Sequence, residues 1–510
     1  IARDRLGEKP LYYGYVNNSF VFASELKSLR EFPDFNNEIN RNALKKYFKY
    51  MYIPCPYSIY KDIYKLEPGH MISIPINDIF NSKLVRDKIK PYWSLEKNIK
   101  RTSKHLNNPK KDSQYLSELE IHLQNAIDSQ SIADVPLGAF LSGGIDSSLI
   151  TALMQKNSTN PVKTFTVGFE EASFDESSFA REVATHLGTE HSELFVTSNE
   201  ARDVIPKLPY IYDEPFADSS QIPTYLVSKL ARNEVKVALT GDGADEMLCG
   251  YNRYQVSNRL WNKFNRIPHN IRKIGSKTIT SIPSSVLNSL HRVFPMVNKS
   301  NNFSDRVYKG ARLLQSKNFD QFYLDFISYW DNPENLIINS KEPKTSLNRN
   351  LENIKNMTNI DRMMYLDLLS YLPGDILTKV DRASMAASLE TRLPFLDHRL
   401  IEFAWSLPNE YKYNNGQTKW ILKEVLNKYI PKNLYDRPKQ GFGIPINEWL
   451  KGSLKEWGGD LLNEQKIIEQ GYLDAKQVKE KWSQHQSGKS NWQHQLWNVL
   501  MFQSWLEENK

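Results

Sequence analysis

Ser142-Gly143-Gly144-Ile145-Asp146-Ser147-Ser148 follows an apolar run, Val135 to Leu141, and precedes Leu149, Ile150, Leu153 and Met154 at helical spacing. The order predicts a strand, a glycine loop and a helix in direct succession. Two glycines permit a sharp turn and let a ligand approach the backbone closely. The helix start adds unpaired N–H groups and the positive end of a dipole, a combination suited to phosphate. Serine hydroxyls supply more donors, and Asp146 can hold the metal that accompanies a polyphosphate. The Walker pattern needs Lys-Ser or Lys-Thr after its last glycine; none stands here, so this is a different kind of phosphate loop.

The same alternation continues downstream. Val162 to Phe169 and Ser192 to Val196 read as strands, and Ser178 to Leu187 and Thr224 to Arg232 as helices. Val235 to Leu239 reads as a further strand, running into Thr240-Gly241-Asp242-Gly243-Ala244-Asp245-Glu246. Strands alternating with helices predict a parallel sheet, whose ligands bind outside the carboxyl ends of its strands. Asp242, Asp245 and Glu246 at one strand end are costly unless they share something cationic, either a metal-bound phosphate or an ammonium group. The plainer reading is a solvated turn ending in a helix N-cap; the company of the first loop favours the functional one. A third stretch, Arg437-Pro438-Lys439-Gln440-Gly441-Phe442-Gly443, is a basic turn. Its lysine suits stabilisation of developing negative charge, although lysine before glycine is common on surfaces.

Around these motifs the chain reads in blocks. At the front, Tyr12-Tyr13 and Phe20 to Ala23 read as a hairpin, Glu25 to Arg30 and Ala43 to Tyr50 as helices, and Met71 to Ile76 as a strand after a turn containing His70. Residues 96–113 are polar and lysine-rich, a linker signature. A helix then presents Leu116, Leu119, Ile121, Leu123 and Ile127 as its apolar face. From about 250 to 430 the pattern is helical, with Asp361 to Arg392 a helical pair hinged at Pro373-Gly374, and Trp492 to Leu506 forms an aromatic amphipathic helix.

The 510 residues carry 66 basic and 59 acidic side chains for a net charge of +7, with no dense basic block joined to an aromatic platform, which argues against nucleic acid as a partner. Cys55 and Cys249 are the only cysteines, in no metal-like spacing, so free thiols in a reducing, cytoplasmic compartment are expected. No run reaches the roughly 18 apolar residues of a membrane span.

Taken together, three segments resemble glutamine-hydrolysing asparagine synthetases: Ser142–Ser148; Asp242–Glu246 with Gly250-Tyr251; and Glu390-Thr391-Arg392-Leu393-Pro394-Phe395-Leu396-Asp397. At the front, Arg3-Asp4-Arg5-Leu6-Gly7, Lys9-Pro10-Leu11-Tyr12-Tyr13, Phe22-Ala23-Ser24-Glu25 and Pro68-Gly69-His70 resemble the last third of that family's glutaminase domain. The resemblance implies an α/β chain with three parts. Residues 1–95 would be the C-terminal remnant of an Ntn-type α+β glutaminase (class II amidotransferase) domain, 96–113 a linker, and 114–510 a synthetase domain with an ATP-pyrophosphatase-like parallel sheet and a helical C-terminal part.

It further implies ATP and Mg²⁺ as cofactors, with aspartate and glutamine or ammonia as the other small molecules, no membrane, and a homodimer as an allowed assembly. ATP phosphates would lie on Ser142, Gly143, Gly144, Asp146, Ser147 and Ser148, its adenine and ribose against Leu141, Val167, Thr240 and Gly241, and Mg²⁺ between Asp146 and Asp245. Asp242 stands where the family often has glutamate, at a position tied to forming β-aspartyl-AMP, and Lys439 matches the lysine that offsets adenylate charge. Part of Asp218-Ser219-Ser220-Gln221 is expected in the substrate pocket.

The family's N-terminal cysteine nucleophile and glutamine-binding residues are not in these 510 residues, and Cys55 cannot stand in because the mechanism needs a terminal α-amine as base. The expectation is therefore an N-terminally truncated sequence that uses free ammonia. Amidation or cyclisation of another carboxylate (a sugar acid, a peptide or a β-lactam precursor) shares the same motifs. RNA modification by the same kind of ATP loop is a more distant reading.

Overall fold

The structure, a computed structural model, describes residues 1–76, 87–102, 110–169, 175–283, 286–287, 303–330, 332–345, 347, 356–437 and 443–509. At the front, strands β1 (Tyr12–Val16) and β2 (Ser19–Ala23) form a hairpin, and helices α1 (Leu26–Arg30) and α2 (Arg41–Tyr50) follow. Strand β3 (Ile63–Lys65) pairs antiparallel with β1, while β4 (His70–Ile72) pairs with β5 (Ile89–Pro91). β4 is shorter than the expected strand over 71–76. Helix α3 (Leu95–Thr102) runs into the stretch 96–113 that reads as linker, with Leu95 and Ile99 buried in the core.

Helix α4 (Asp112–Gln130) then leads to β6 (Leu137–Phe140), α5 (Ile145–Lys156), β7 (Lys163–Phe169), α6 (Ser177–Leu187), β8 (Glu190–Val196), α7 (Gln221–Arg232) and β9 (Val237–Leu239). On α4 the buried residues are Tyr115, Leu119, Leu123, Ala126 and Ile127. Ile121 is 54% exposed, contrary to the expected apolar face. At 3.6 residues per turn, position 121 falls opposite the 119–123–127 stripe.

Helix α8 (Asn359–Leu369) is joined to α9 (Leu377–Ala386) by one π-type turn, Leu372–Ile376. Pro373-Gly374 thus widens the helix where a hinge was expected, and Gly374 leaves room for the Tyr52 ring, 2.4 Å from where a Cβ would be. The expected helical pair ends at Ala386; Glu390–Arg392 is a strand, β10, and corrects that reading. Its three residues become a strand because the open edge of β9 supplies parallel partners, Glu390 opposite Val237 through Arg392 opposite Leu239.

The resulting sheet is wholly parallel, in the order β10-β9-β6-β7-β8. Connections leave β6 toward β7 on one side, and β9 returns on the other, so the strand order reverses beside β6. Crevices open at the carboxyl ends of strands at such a reversal. Helices cover the sheet, and helix α10 (Gln493–Glu508) buries Trp497, Phe502 and Trp505. One hydrophobic core runs from Leu6 and Tyr47 through Leu149 to Phe502. Polar ties join the front region to the rest: Lys9 Nζ lies 2.9 Å from Asp381, Arg382 donates to Glu25 at 2.7 Å, and Tyr47 donates to the Asn498 carbonyl at 2.7 Å. Among the described residues, no helix is long and apolar enough to cross a membrane.

Candidate active site

β6 ends at Phe140, and the chain turns through residues 141–144 into α5. Gly143 adopts φ +71°, and a Cβ there would stand 2.8 Å from the Phe179 carbonyl carbon, so both conformation and space demand glycine. The loop is preformed by its own hydroxyls. Ser142 Oγ and Ser147 Oγ are 3.0 Å apart, Ser142 N–H donates to Ser147 Oγ at 3.2 Å, and Gly144 N–H donates to Ser142 Oγ at 3.3 Å. Arg437 donates to the Ser142 carbonyl at 3.1 Å while its guanidinium lies 3.5 Å from the Phe179 ring centre, pinning loop to helix.

The second loop follows β9. Thr240 Oγ1 donates to Asp242 Oδ2 at 2.6 Å and accepts from Asp242 N–H at 3.2 Å, so the aspartate is held by the residue that ends the strand. Gly241 sits against the first loop: a Cβ on it would fall 2.8 Å from Ser147 N and 3.0 Å from Asp146 C. The two loops therefore meet backbone to backbone.

Between them lies a cation that sequence reasoning required but did not locate. The hairpin Tyr413–Thr418 ends in Lys419, whose Nζ is 2.5 Å from Asp146 Oδ2 and 2.6 Å from Asp245 Oδ1. Lys419 is only 3% exposed. Burial alone would pull its ammonium pKa down, but the two carboxylates outweigh that and hold it above the ordinary lysine value. Gly250 completes the pocket, since a Cβ there would fall 1.9 Å from Asp245 Oδ1 and 2.1 Å from Lys419 Cε. The only advance signal was Asn415-Gly416, a hairpin turn pair four residues before the lysine.

These segments enclose a cavity of about 620 Å³. Of the expected residues, Leu141, Ser142, Gly144, Asp146, Ser147, Val167, Thr240, Gly241, Asp242 and Asp245 line it; Gly143 and Ser148 stand behind it, Ser148 fully buried. Lys439 lies outside the described residues, although Arg437 reaches the cavity rim.

Two further features were missed. Lys379, on α9, lines the cavity and donates to Asp218 at 2.9 Å and to Ser220 Oγ at 2.8 Å. Burial raises the Asp218 pKa, but Lys379, then hydrogen bonds from Asp375 and the Ser220 N–H, outweigh it and hold the carboxyl at about 2. Beneath the second loop, Glu246 is fully buried and accepts from Tyr251 at 2.7 Å. Burial, then the neighbouring Asp245 charge, raise its pKa to about 7.

Asp146 and Asp245 bring oxygen donors from two loops onto one point, which suits a hard divalent cation that keeps water and phosphate oxygens as its other ligands. Among the described residues no group of three or more His, Cys, Asp or Glu side chains is arranged to hold a metal ion.

Fold and cavity together define an α/β protein whose cavity is built from two loops at the reversal point of a parallel sheet. The asparagine synthase family model matches residues 118–507, and a glutamine amidotransferase domain model matches residues 1–93. The chain is 32% identical over 509 residues to asparagine synthetase (glutamine-hydrolyzing) 1 of Bacillus subtilis, covering 99% of this chain and 74% of that protein. Asparagine synthetase (glutamine-hydrolyzing) 3 of the same organism is 25% identical over 500 residues, covering 94% and 70%. Amidase chyE of Penicillium rubens is 24% identical over 504 residues, covering 93% and 71%. The chain belongs to the asparagine synthase family.

Proposed function

We propose that the cavity activates the side-chain carboxylate of L-aspartate with ATP, forming β-aspartyl-AMP and pyrophosphate, and that ammonia then displaces AMP to give asparagine. The observation that carries this reading is the meeting of the Ser142–Ser148 and Thr240–Glu246 loops, backbone against backbone, over two carboxylates that share one cation. In it, the phosphates lie on the N–H groups and hydroxyls of the first loop, where helix α5 begins. The nucleoside lies against Leu141, Val167, Thr240 and Gly241. Asp146 and Asp245 would hold Mg²⁺, which would supply neutralisation of phosphate charge. Asp242, fixed by Thr240, and Lys439 act at the acyl-phosphate centre. Lys379, held by Asp218 and Ser220 and within electrostatic reach of Asp242, marks the place for the amino-acid end of the substrate. The two buried cysteines fit a reducing cytoplasm.

A second reading, amidation of a different carboxylate, draws support from the relative named amidase. Pyrophosphate release from ATP, Mg²⁺ and ammonium chloride, measured across aspartate, sugar acids and peptides, separates the two. Aspartate-dependent release supports the first; turnover with another acid but none with aspartate replaces it by the second.

A further inference from the structure

We propose that Lys419 is the place-holder of the divalent cation: it balances Asp146 and Asp245 until a polyphosphate arrives to take over its ammonium group, so that metal and polyphosphate bind as a coupled pair. The inference rests on the reading that these two carboxylates hold the metal.

The arrangement is built for the purpose. The two loops touch at Gly241, where a Cβ would fall 2.8 Å from Ser147 N, and Asp146 and Asp245 both reach the same ammonium group. Two carboxylates held this close repel unless a cation lies between them. Lys419 provides one at 2.5 and 2.6 Å, with its own backbone in the left-handed region at φ +52°, an unusual conformation for a non-glycine residue. The other cavity lysines are committed elsewhere, Lys379 to Asp218 and Lys423 to Asp436 at 3.2 Å.

A tethered ammonium group at this point competes directly with a free divalent cation. Metal arriving alone must strip the buried lysine of both partners, leaving its ammonium unpaired, which is costly. Metal arriving with a polyphosphate gives that ammonium a new anionic partner within the same cavity. The coupling is reciprocal, so the polyphosphate also binds better once the metal has released the lysine.

The test uses Mn²⁺ as the metal probe, followed by electron paramagnetic resonance on the full 510-residue chain without nucleotide. Lys419→Met and Lys419→Gln are compared with wild type and with Lys428→Met. Lys428 pairs with Glu120 at 2.6 Å, so its variant removes the same charge at a site distant in contact from the cavity. Glutamine keeps a hydrogen-bonding group between the acids, so it serves if the methionine variant fails to melt cooperatively.

The expected result is Mn²⁺ binding at least tenfold tighter in the Lys419 variants than in wild type or Lys428→Met. Pyrophosphate binding, measured by calorimetry with Mn²⁺ present, should weaken at least tenfold in the same Lys419 variants. Equal or weaker Mn²⁺ binding in the folded Lys419 variants overturns this inference alone. Failure of every form to bind Mn²⁺, with or without pyrophosphate, overturns the metal-site reading and this inference with it.

Discussion

Replacing Gly241 by alanine probes the contact on which the site depends. The new methyl would lie 2.8 Å from Ser147 N and 3.0 Å from Asp146 C and Cβ, where ordinary contacts are 3.4–4 Å. Two of those three atoms are backbone, so the strain cannot be relieved by swinging a side chain aside. One loop must move by roughly 0.5–1 Å, and overpacking of this kind costs about 1–3 kcal/mol. Misplacing reacting groups by about 1 Å costs on the order of 100-fold in rate. The expected outcome is a loss of about 100-fold in kcat/KM for pyrophosphate release with aspartate and ammonium. Urea unfolding should show a drop of no more than about 3 kcal/mol. Gly275→Ala is the control. It lies in the helix His269–Ser281, where a Cβ meets nothing within 4 Å, so it should raise stability by about 0.5–1 kcal/mol and leave the rate alone. Wild-type turnover by Gly241→Ala would refute the claim that the two loops must touch to work.

Three other outcomes are expected. Asp146→Ala should lower pyrophosphate release by at least about 100-fold while the chain still melts cooperatively; wild-type rates would remove Asp146 from the metal site. Asp242→Asn should slow adenylate formation, read as exchange of labelled pyrophosphate into ATP, and normal exchange would leave the acid only a loop cap. Glu246, whose pKa rises to about 7, should impose a pH dependence on stability. Below about pH 4.5 its carboxyl is protonated in both folded and unfolded chains; between there and about 7 the unfolded chain alone gives up the proton, so stability falls as pH rises. A displacement of that size is worth about 3 kcal/mol, so the stability of Glu246→Gln relative to wild type should climb by about that amount from pH 4.5 to 7; parallel curves would deny the raised pKa.

What could be read in advance was local. Val135 to Leu141, the glycine loop and the helix after it sit next to one another in the chain, and so do Val235 to Leu239 and the acidic loop, so periodicity and turn chemistry sufficed for both. That both loops meet at one sheet edge followed from the α/β alternation. The rest depended on distant segments. Glu390-Thr391-Arg392 has no apolar run and is a strand only because β9 offers it an open edge. Lys419, 273 residues from Asp146, looks like any lysine before a tryptophan until the hairpin turns it inward. Lys379 hides on a helix whose pattern shows only packing, and its role appears when Asp218 is folded against it. Ile121 reads as part of the apolar face with Leu119, Leu123 and Ile127, but its turn position points it outward.

The central claim is that this site transfers an adenylyl group to the aspartate side chain. Aspartate labelled with ¹⁸O in its β-carboxylate, incubated with the chain, ATP, Mg²⁺ and ammonium, tests it most directly. The account predicts asparagine, pyrophosphate and AMP in equal amounts, with one ¹⁸O delivered to each AMP formed. Unlabelled AMP, or ADP and phosphate as the nucleotide products, would contradict it.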